Sequence, residues 1–266
     1  MRKIFLLVFS FLLVVIILGG CQSKKTINGN TWQLVWSDEF DYTGFANPEY
    51  WSYEVKGARW VNNEAQAYRE NLENGRAENG KFIIEAHYDE QNDVYTSARI
   101  RTLALKDWQY GRFEIRAKLP AGTGTWPAIW MLGYKGGWPA CGEIDIMEHV
   151  GYDPGKVHAS VHTKKYNWPS NTQKTAIIDV DDSDSQFHDY VLEWFPDRLD
   201  FYVDDQKFMT YENENEGFSQ WPFDYKCYLI INLAIGGNWG GQHGIDNDIF
   251  PVRMEIDYVR VYELVK

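Results

Sequence analysis

The sequence predicts an all-β fold, either a sandwich or a jelly roll. Short runs rich in Val, Ile, Phe, Tyr and Trp recur along the chain, and Gly, Asn, Asp and Pro separate them. This alternation of apolar runs with turn residues is typical of antiparallel strands. The pattern contains no convincing amphipathic helix. Many short strands without crossover helices favour two packed antiparallel sheets over a parallel α/β sheet.

Two dipeptides are predicted as hairpin turns within a series of strands. Pro196-Asp197 and Asp204-Asp205 place turn residues between apolar runs, so each is expected to join neighbouring strands. The predicted strands are Lys81–Tyr88, Tyr95–Leu105, Arg112–Leu119, Trp126–Leu132, Val157–Thr163, Tyr190–Phe195, Arg198–Val203, Tyr228–Ile235 and Glu255–Glu263.

Residues 1–20 are interpreted as an export signal. Arg2 and Lys3 precede an apolar run over residues 4–18, interrupted only by Ser10, which is shorter than the roughly 20 residues of a membrane span. The run ends in Leu18-Gly19-Gly20-Cys21, which resembles the processing site of bacterial lipoproteins, where cleavage leaves a lipidated cysteine. The alternative is an ordinary signal peptide that happens to end near a cysteine.

On the lipoprotein interpretation the mature chain starts at Cys21, residues 21–30 form a polar tether, and residues 31–266 form one domain. No Pro/Ser-rich linker, low-complexity stretch or repeat divides that domain. Gln22 in place of an aspartate favours, by resemblance, the outer membrane, and the face of that membrane is left open. We expect a monomer that contacts the membrane only through its N-terminal lipid.

Composition limits the possible partners. The formal net charge of −12 argues against nucleic acid, whose binding depends on clustered Lys and Arg, and less strongly against sulfated polysaccharides. Besides Cys21, Cys141 and Cys227 are too few for a disulfide framework, and two separate packed thiols are favoured over one bridge. Most of the 12 Trp and 17 Tyr suit core positions, but this excess in an exported acidic chain also suits stacking on sugar rings.

The segment Glu143-Ile-Asp-Ile-Met-Glu148 carries the strongest chemical signal. In a regular strand Glu143 and Asp145 share one face, whereas the two isoleucines point into the core and Glu148 would follow them. An unpaired carboxylate in the core costs several kcal/mol or must be neutralised. A one-residue bulge at Ile146-Met147 restores the alternation, and we therefore predict that all three carboxyls line one concave face.

Carboxyls gathered in this way suit the hydrolysis of glycosidic bonds. The bulge and a curved face could bring the two glutamate carboxyls to about 5 to 6 Å, the separation used by retaining glycosidases. Such close carboxyls cannot all ionise cheaply, so one acid should stay protonated near neutrality. For the motif alone, an acidic face that is solvated or binds a cation is the alternative.

Aromatic residues lie just upstream of this motif. In Trp126-Pro-Ala-Ile-Trp-Met131 the alternation places Trp126, Ala128 and Trp130 on one face. Two indoles on an exposed concave face would form a platform for sugars, and on the inner face they would be core. The connection over residues 133–142, which includes Trp138, would bring this strand beside the acidic one.

Together these runs resemble the laminarinase branch of glycoside hydrolase family 16, in family order over nearly the whole mature chain. The resemblance implies a β jelly roll of two curved antiparallel sheets with a concave substrate cleft, and retaining endo-hydrolysis of β-1,3-glucan by double displacement. It is carried by Gly124–Leu132 and Trp138–Gly151, and by Trp36–Phe40, Thr96–Ile100, Gly111–Glu114 and Asn232–Trp239.

By this resemblance Glu143 is the nucleophile, Glu148 the general acid/base, and Asp145 the residue that holds and tunes the nucleophile, with no cofactor for catalysis. Two alternatives stay open for the weaker positions. A lone histidine such as His162 is more often structural. Asn62, Glu64 and Arg99 could equally be surface residues that form hydrogen bonds. The expected substrate-binding residues are Asn62, Glu64, Arg99, Trp126, Trp130, Trp138, His162, Asn238 and Trp239.

The resemblance also implies a structural Ca²⁺ on the convex face, at positions matched by Glu39, Gly80 and Asp257, because oxygen ligands suit that ion. Competing functions are hydrolysis of mixed-linkage β-glucan or of a red-algal galactan, and a non-catalytic glucan-binding surface protein. The additional Met147 counts against the usual mixed-linkage motif, and the acidic charge with the retained Trp-Pro-Ala-x-Trp run counts against galactans. The presence of both glutamates counts against a binding protein.

Overall fold

The structure is a computed structural model that describes residues 23–265. The predictions for the export signal and for Cys21 therefore lie outside the described residues. Within the described range the fold consists of two β-sheets and two short 3₁₀ helices, Trp168–Ser170 and Asn247–Ile249. None of the helices in this range is long and apolar enough to cross a membrane.

The strands are short and follow one another without crossover helices. In chain order they are β1 (Lys24–Ile27), β2 (Asn30–Asp38), β3 (Ser52–Tyr53), β4 (Gln66–Tyr68), β5 (Gly75–Glu78), β6 (Lys81–Asp89), β7 (Val94–Ser97), β8 (Arg99–Arg101), β9 (Gly111–Lys118), β10 (Thr125–Gly133), β11 (Glu143–Glu148), β12 (Lys156–His162), β13 (Lys174–Asp179), β14 (His188–Trp194), β15 (Arg198–Val203), β16 (Gln206–Glu212), β17 (Cys227–Ile235) and β18 (Val252–Leu264).

The two sheets pack face to face as a jelly roll, as the sequence predicts. The seven-stranded sheet has the order β13-β12-β11-β10-β17-β8-β3. The eleven-stranded sheet runs β16-β15-β14-β9-β18-β6-β7-β4, with β1, β2 and β5 attached beside it. Strand pairs are antiparallel except for β4 with β7. The acidic strand β11 thus lies near the middle of the seven-stranded sheet, where neighbours on both sides fix its register.

The core lies between the sheets and is built from alternate residues of each strand. Phe113 and Ile115 of β9 face Ile129 of β10 and Val161 of β12 across this layer, and all four are fully buried. Burying alternate apolar side chains leaves the intervening residues on the outer faces of the sheets. For β10, β11 and β12 that outer face is the cleft.

The predicted strand positions agree with the structure except at one long run. The hairpin turns at Pro196-Asp197 and Asp204-Asp205 are confirmed by the pairing of β14 with β15 and of β15 with β16. The run Tyr95–Leu105 is divided, because β7 belongs to the eleven-stranded sheet and β8 to the seven-stranded sheet. The chain passes between sheets at the fully buried Ala98, where a small side chain fits the crossing.

The prediction of a polar tether over residues 21–30 is wrong for Lys24–Ile27, which form β1. This strand pairs with the start of β2 from Lys24 opposite Gln33 to Ile27 opposite Asn30. Asn28 and Gly29 form the turn with φ of 50° and 80°, the conformation that Asn-Gly turns of tight hairpins adopt. Lys25 pairs with Glu114 and lies over the Tyr262 ring, so the segment is held against the sheet.

A buried ion network covers the outer face of the eleven-stranded sheet. Arg112 donates to Glu114 and to Glu193, each at 2.6 Å, and Tyr202 donates its hydroxyl to Glu193 at 3.0 Å. Arg112, Glu114 and Glu193 are only 4%, 5% and 2% exposed. The N-terminal hairpin adds Lys25 as the second cation of this network.

The cysteines agree with the favoured interpretation, since Cys141 and Cys227 are both buried free thiols. The calcium prediction fits less well. Arg260 binds both carboxylate oxygens of Glu39, at 2.9 and 2.7 Å, and Arg116 lies 3.6 Å from Asp257. The Glu39 carboxylate is therefore already paired, whereas the Asp257 side chain is 43% exposed, and calcium at Glu39, Gly80 and Asp257 stays a prediction.

Candidate active site

An open cleft of about 840 Å³ lies on the outer face of the seven-stranded sheet. Every residue predicted for catalysis or sugar binding lines it. The structure thus brings together positions that are far apart in the chain. They are Asn62, Glu64, Arg99, Trp126, Trp130, Trp138, Glu143, Asp145, Glu148, His162, Asn238 and Trp239.

The bulge predicted in β11 is confirmed by its register with both neighbours. Against β10, Met147 pairs with Ile129 and Asp145 pairs with Trp130, which leaves Ile146 as the additional residue. Against β12 the pairing shifts between Asp145 and Glu148. Ile146 and Met147 are both buried. Two consecutive side chains therefore enter the core, and the alternation changes so that Glu148 faces the cleft with Glu143 and Asp145.

Burial raises the pKa of all three carboxyls. It raises the pKa of Glu148 to about 8, with a further increase from the charge of Asp145. Burial and then Asp145 also raise the pKa of Glu143 well above its usual range, while His162 and the indole of Trp138 oppose that increase. The pKa of Asp145 is raised by burial. The three carboxyls therefore cannot all ionise near neutral pH: a proton held on Glu148 suits a general acid, while His162 and the Trp138 indole favour the ionised form of Glu143.

Each glutamate accepts a hydrogen bond from a different tryptophan. The Trp126 indole N–H donates to Oε1 of Glu148 at 3.0 Å, and the Trp138 indole N–H donates to Oε2 of Glu143 at 3.0 Å. Trp130, which also lines the cleft, instead donates its indole N–H to Asn232 at 2.8 Å. All three indoles thus face the cleft, as predicted, and those of Trp126 and Trp138 also contact the catalytic glutamates directly.

His162 is the cation nearest to the nucleophile when it is protonated. Its Nε2 lies 3.3 Å from Asp145 and 3.8 Å from Oε1 of Glu143. Ligand atoms of Glu143, Asp145 and His162 lie within 4.8 Å of one another, the single such group of three found among residues 23–265. His162 is an ion-pair partner of both acids, and among the described residues neither Oδ2 of Asp145 nor Nδ1 of His162 has a hydrogen-bond partner.

Arg99 and Glu64 are fixed by partners within the cleft wall. Arg99 pairs with the buried Glu54 at 2.8 Å, and its guanidinium lies 4.7 Å from the Trp130 ring centroid. Arg99 therefore covers one face of Trp130. Glu64 accepts hydrogen bonds from Asn62, Gln66 and Tyr68 at 3.2, 2.8 and 3.2 Å. Such fixed polar groups can orient sugar hydroxyls without rearranging.

The loop after β17 closes the wall behind Glu148. Asn238 donates its backbone N–H to the carbonyl of Asn62 at 2.8 Å, which joins this loop to the one that carries Asn62. Trp239 packs edge-on against Trp126 with ring centroids 5.5 Å apart. His158 in turn packs edge-on against Trp239 at 4.9 Å. These contacts form a row of three rings that starts at the indole bonded to Glu148.

Sequence reasoning missed several cleft residues. His158 and Ser160 share a face of β12 with His162, so strand alternation alone could have identified them. Asn232 and Ala234 alternate in the same way on the central strand β17. Five more missed residues lie on loops or on an edge strand, where no periodicity points to a cleft. They are Trp60, Trp168, Gln173, Thr175 and Gln242.

A jelly roll whose cleft places two glutamates and an aspartate on one strand, among exposed indoles, defines a carbohydrate-cleaving enzyme of the glycosidase class. Comparison with known proteins gives the family. Residues 56–260 match the sequence profile of glycosyl hydrolases family 16. The chain belongs to this family, and it is a glycoside hydrolase.

Relatives of known name are similar over almost the whole chain. A β-glucanase of Rhodothermus marinus is 47% identical over 97% of this chain and 94% of its own length. The X-ray structure of the laminarinase from Rhodothermus marinus covers 88% of this chain and 98% of that chain, with a TM-score of 0.85 and 47% identity. A third similar structure is a variant of SCLam, a non-specific endo-β-1,3(4)-glucanase, co-crystallized with 1,3-β-D-cellotriosyl-glucose. It is 45% identical with a TM-score of 0.84, and the match covers 87% of this chain and 95% of that chain.

Proposed function

We propose that this protein is a retaining endo-β-1,3-glucanase, in which Glu143 is the nucleophile and Glu148 is the general acid/base. The observation that carries the proposal is the bulge in β11, which turns Glu148 into the same cleft as Glu143. The similarity to a laminarinase and to a non-specific endo-β-1,3(4)-glucanase supports the substrate class. An open cleft suits internal cleavage of a long chain better than a closed pocket.

The mechanism is a double displacement. Glu148 donates its proton to the glycosidic oxygen while a carboxylate oxygen of Glu143 forms a bond to the anomeric carbon, and the bond to the leaving sugar breaks. Water then attacks the glycosyl ester, Glu148 accepts a proton from it, and Glu143 leaves as a carboxylate. Nε2 of His162 and Oδ2 of Asp145 lie 3.3 Å apart beside the nucleophile, and their opposite effects set how readily the Glu143 carboxyl ionises. Catalysis on these side chains needs no cofactor.

The two glutamate roles are tested with Glu143→Gln and Glu148→Gln. Both variants should fold, bind laminarin oligosaccharides and lose nearly all turnover. Azide should restore activity to Glu148→Gln, and only on an aryl glycoside with a good leaving group, because that substrate needs no acid. Asp197→Asn, at an exposed turn away from the cleft, is a matched control and should keep normal activity. Normal turnover in either Gln variant would overturn the assignment.

Linkage preference is tested by the products from laminarin, lichenan, agarose and carrageenan. We expect internal cleavage of laminarin and little or no cleavage of the two galactans. Cleavage of lichenan at a comparable kcat/KM would extend the activity to mixed-linkage glucan, as the name of the SCLam relative states for that enzyme. Failure to cleave laminarin would overturn the β-1,3 assignment.

Export and lipid anchoring at Cys21 complete the proposal. The apolar run before Leu18-Gly19-Gly20-Cys21 supports them, and a polymer too large to enter the cell must meet its enzyme outside the cytoplasm. Stable anchoring takes more than one acyl chain. Cys21→Ser should leave kcat/KM unchanged but remove labelling by a fatty-acid analogue and recovery in the membrane fraction. Unlabelled, soluble wild-type protein would overturn the anchor.

A further inference from the structure

We propose that Trp126 and Trp138 are positioning residues that select one reactive oxygen on each catalytic glutamate. Trp126 occupies Oε1 of Glu148, and Trp138 occupies Oε2 of Glu143. The transferred proton is then carried by Oε2 of Glu148, and the glycosyl ester forms through Oε1 of Glu143. The inference rests on the proposed function, because it refines the roles of the same two glutamates.

Trp126 is held where its N–H must meet Glu148. Ala128 pairs with Glu148 across β10 and β11, so Trp126 lies two residues further along the same face. A glycine-rich loop encloses the indole: a Cβ added to Gly240 would lie 2.8 Å from the Trp126 Cβ, and one on Gly237 would lie 3.3 Å from the indole ring. Only glycine permits this approach. The indole is therefore clamped between the loop and the acid.

Trp138 reaches Glu143 from the turn between β10 and β11. This turn packs closely against the loop before β17, because a Cβ on Gly142 would lie 2.6 Å from Pro222. Trp138 itself is 43% exposed, and its ring centroid lies 6.2 Å from that of His162. One side of the nucleophile thus meets the indole N–H, and the other oxygen, Oε1, faces His162 at 3.8 Å.

In each glutamate, the indole hydrogen bond to one carboxyl oxygen determines which of the two oxygens reacts. In a protonated carboxyl, the carbonyl oxygen is the better acceptor and the hydroxyl oxygen carries the proton. An N–H fixed on Oε1 of Glu148 therefore leaves the proton on Oε2. The same rule applies to the glycosyl ester of Glu143, whose carbonyl oxygen should accept the Trp138 N–H while the other oxygen bonds to the sugar. Neither indole gains or loses a proton in the reaction.

The two hydrogen bonds act on opposite limbs of the pH profile of kcat/KM. Each favours the ionised form of its glutamate. Removing the bond to Glu148 should keep the acid protonated to higher pH and move the alkaline limb of kcat/KM upward. Removing the bond to Glu143 should delay ionisation of the nucleophile and move the acidic limb upward. The coupled carboxyls titrate as a set, so the test is which limb moves.

The experiment compares kcat/KM from pH 4 to 10, about the range over which these groups titrate, for Trp126→Phe, Trp138→Phe and the control Trp130→Phe. The Trp130 N–H serves Asn232, so Trp130→Phe should alter KM but neither limb. We expect Trp126→Phe to raise the alkaline limb by about one pH unit, and Trp138→Phe to raise the acidic limb by about one unit, because each loses a hydrogen bond to a charged group.

Unmoved limbs in both Phe variants, or movement of the opposite limb, would overturn the inference. If a Phe variant unfolds, 3-benzothienylalanine at the same position keeps the ring shape and removes only the N–H, and the same limb should move. The proposed function fails independently: turnover in Glu143→Gln or Glu148→Gln would overturn the glutamate roles. Inactive Gln variants together with unmoved limbs would overturn only the part assigned to the tryptophans.

Discussion

Replacing Arg112 by methionine should strongly destabilise the protein without altering the cleft. Arg112 is 4% exposed and is the cation that contacts Glu193. Without it, the Tyr202 hydroxyl is the one hydrogen-bond donor left to the Glu193 carboxylate among the described residues. Glu114 would keep Lys25. Removing one partner of a buried ion pair costs about 3 to 5 kcal/mol, since the other charge stays buried and unpaired.

At about 2 to 4 °C per kcal/mol for a domain of this size, Tm should fall by roughly 6 to 20 °C. Arg116 of the same strand is the matched control, because its side chain is 34% exposed and its carboxylate partners lie at 3.5 and 3.6 Å. Arg116→Met should cost about 1 kcal/mol or less. The assay is thermal unfolding at pH 7, with kcat/KM measured well below both midpoints and expected to match wild type.

The double variant Arg112→Met/Glu193→Gln tests the reason for the loss. It removes both charges together, so much of the lost stability should return. A Tm of Arg112→Met within about 3 °C of wild type would refute the reasoning, given the scale above. Equal loss in the double variant would show that packing, and not an unpaired charge, sets the cost.

Three further outcomes follow from the structure. In wild type, kcat/KM should fall as pH rises through about 8, because Glu148 with its raised pKa must be protonated to act; a plateau to pH 9, about one unit beyond it, would contradict this. Burial raises the pKa of Cys141 to about 11, and Cys227 is also buried. Iodoacetamide at pH 8 should therefore label neither thiol until the protein unfolds, and rapid labelling of native protein would contradict this. Removing residues up to Gly29 deletes β1 and its Lys25 contact, and should lower stability by about 1 to 2 kcal/mol with normal kcat/KM; an unchanged Tm would show that β1 contributes nothing.

The central strands and the acidic site could be predicted from the sequence because strand alternation has a period of two residues. Ile144 and Ile146 fix the inner face of β11, and a glutamate on the wrong side then requires a bulge. The same reasoning placed Trp126 and Trp130 on one face of β10 but left open whether that face was the cleft or the core, and the structure places both in the cleft. Every substrate-binding residue expected from the family resemblance also lines it.

The remaining elements could not be predicted in the same way, for particular reasons. The edge strand β13 exposes Ile177 and has few buried side chains, so it gives a weak pattern. Trp60 and Trp168 reach the cleft from loops whose course depends on distant contacts. β1 was not predicted despite the Asn28-Gly29 turn, because its polar residues resemble a tether. The contact of Lys25 with the distant Glu114 cannot be read from the sequence.

The two halves of the active site differ in how much of the chain must be assembled to build them. Trp138 in the turn and Glu143 at the start of β11 are five residues apart, whereas Trp126 and Glu148 are 22 residues apart and meet only when β10 and β11 pair around the bulge. Contacts between distant residues form late in folding, because closing the longer loop costs more entropy. We therefore expect the surroundings of the nucleophile to form before those of the acid. A one-residue slip between β10 and β11 would turn every side chain of β11 to the other face of the sheet, so a chain in the wrong register would lose Glu143, Asp145 and Glu148 from the cleft together.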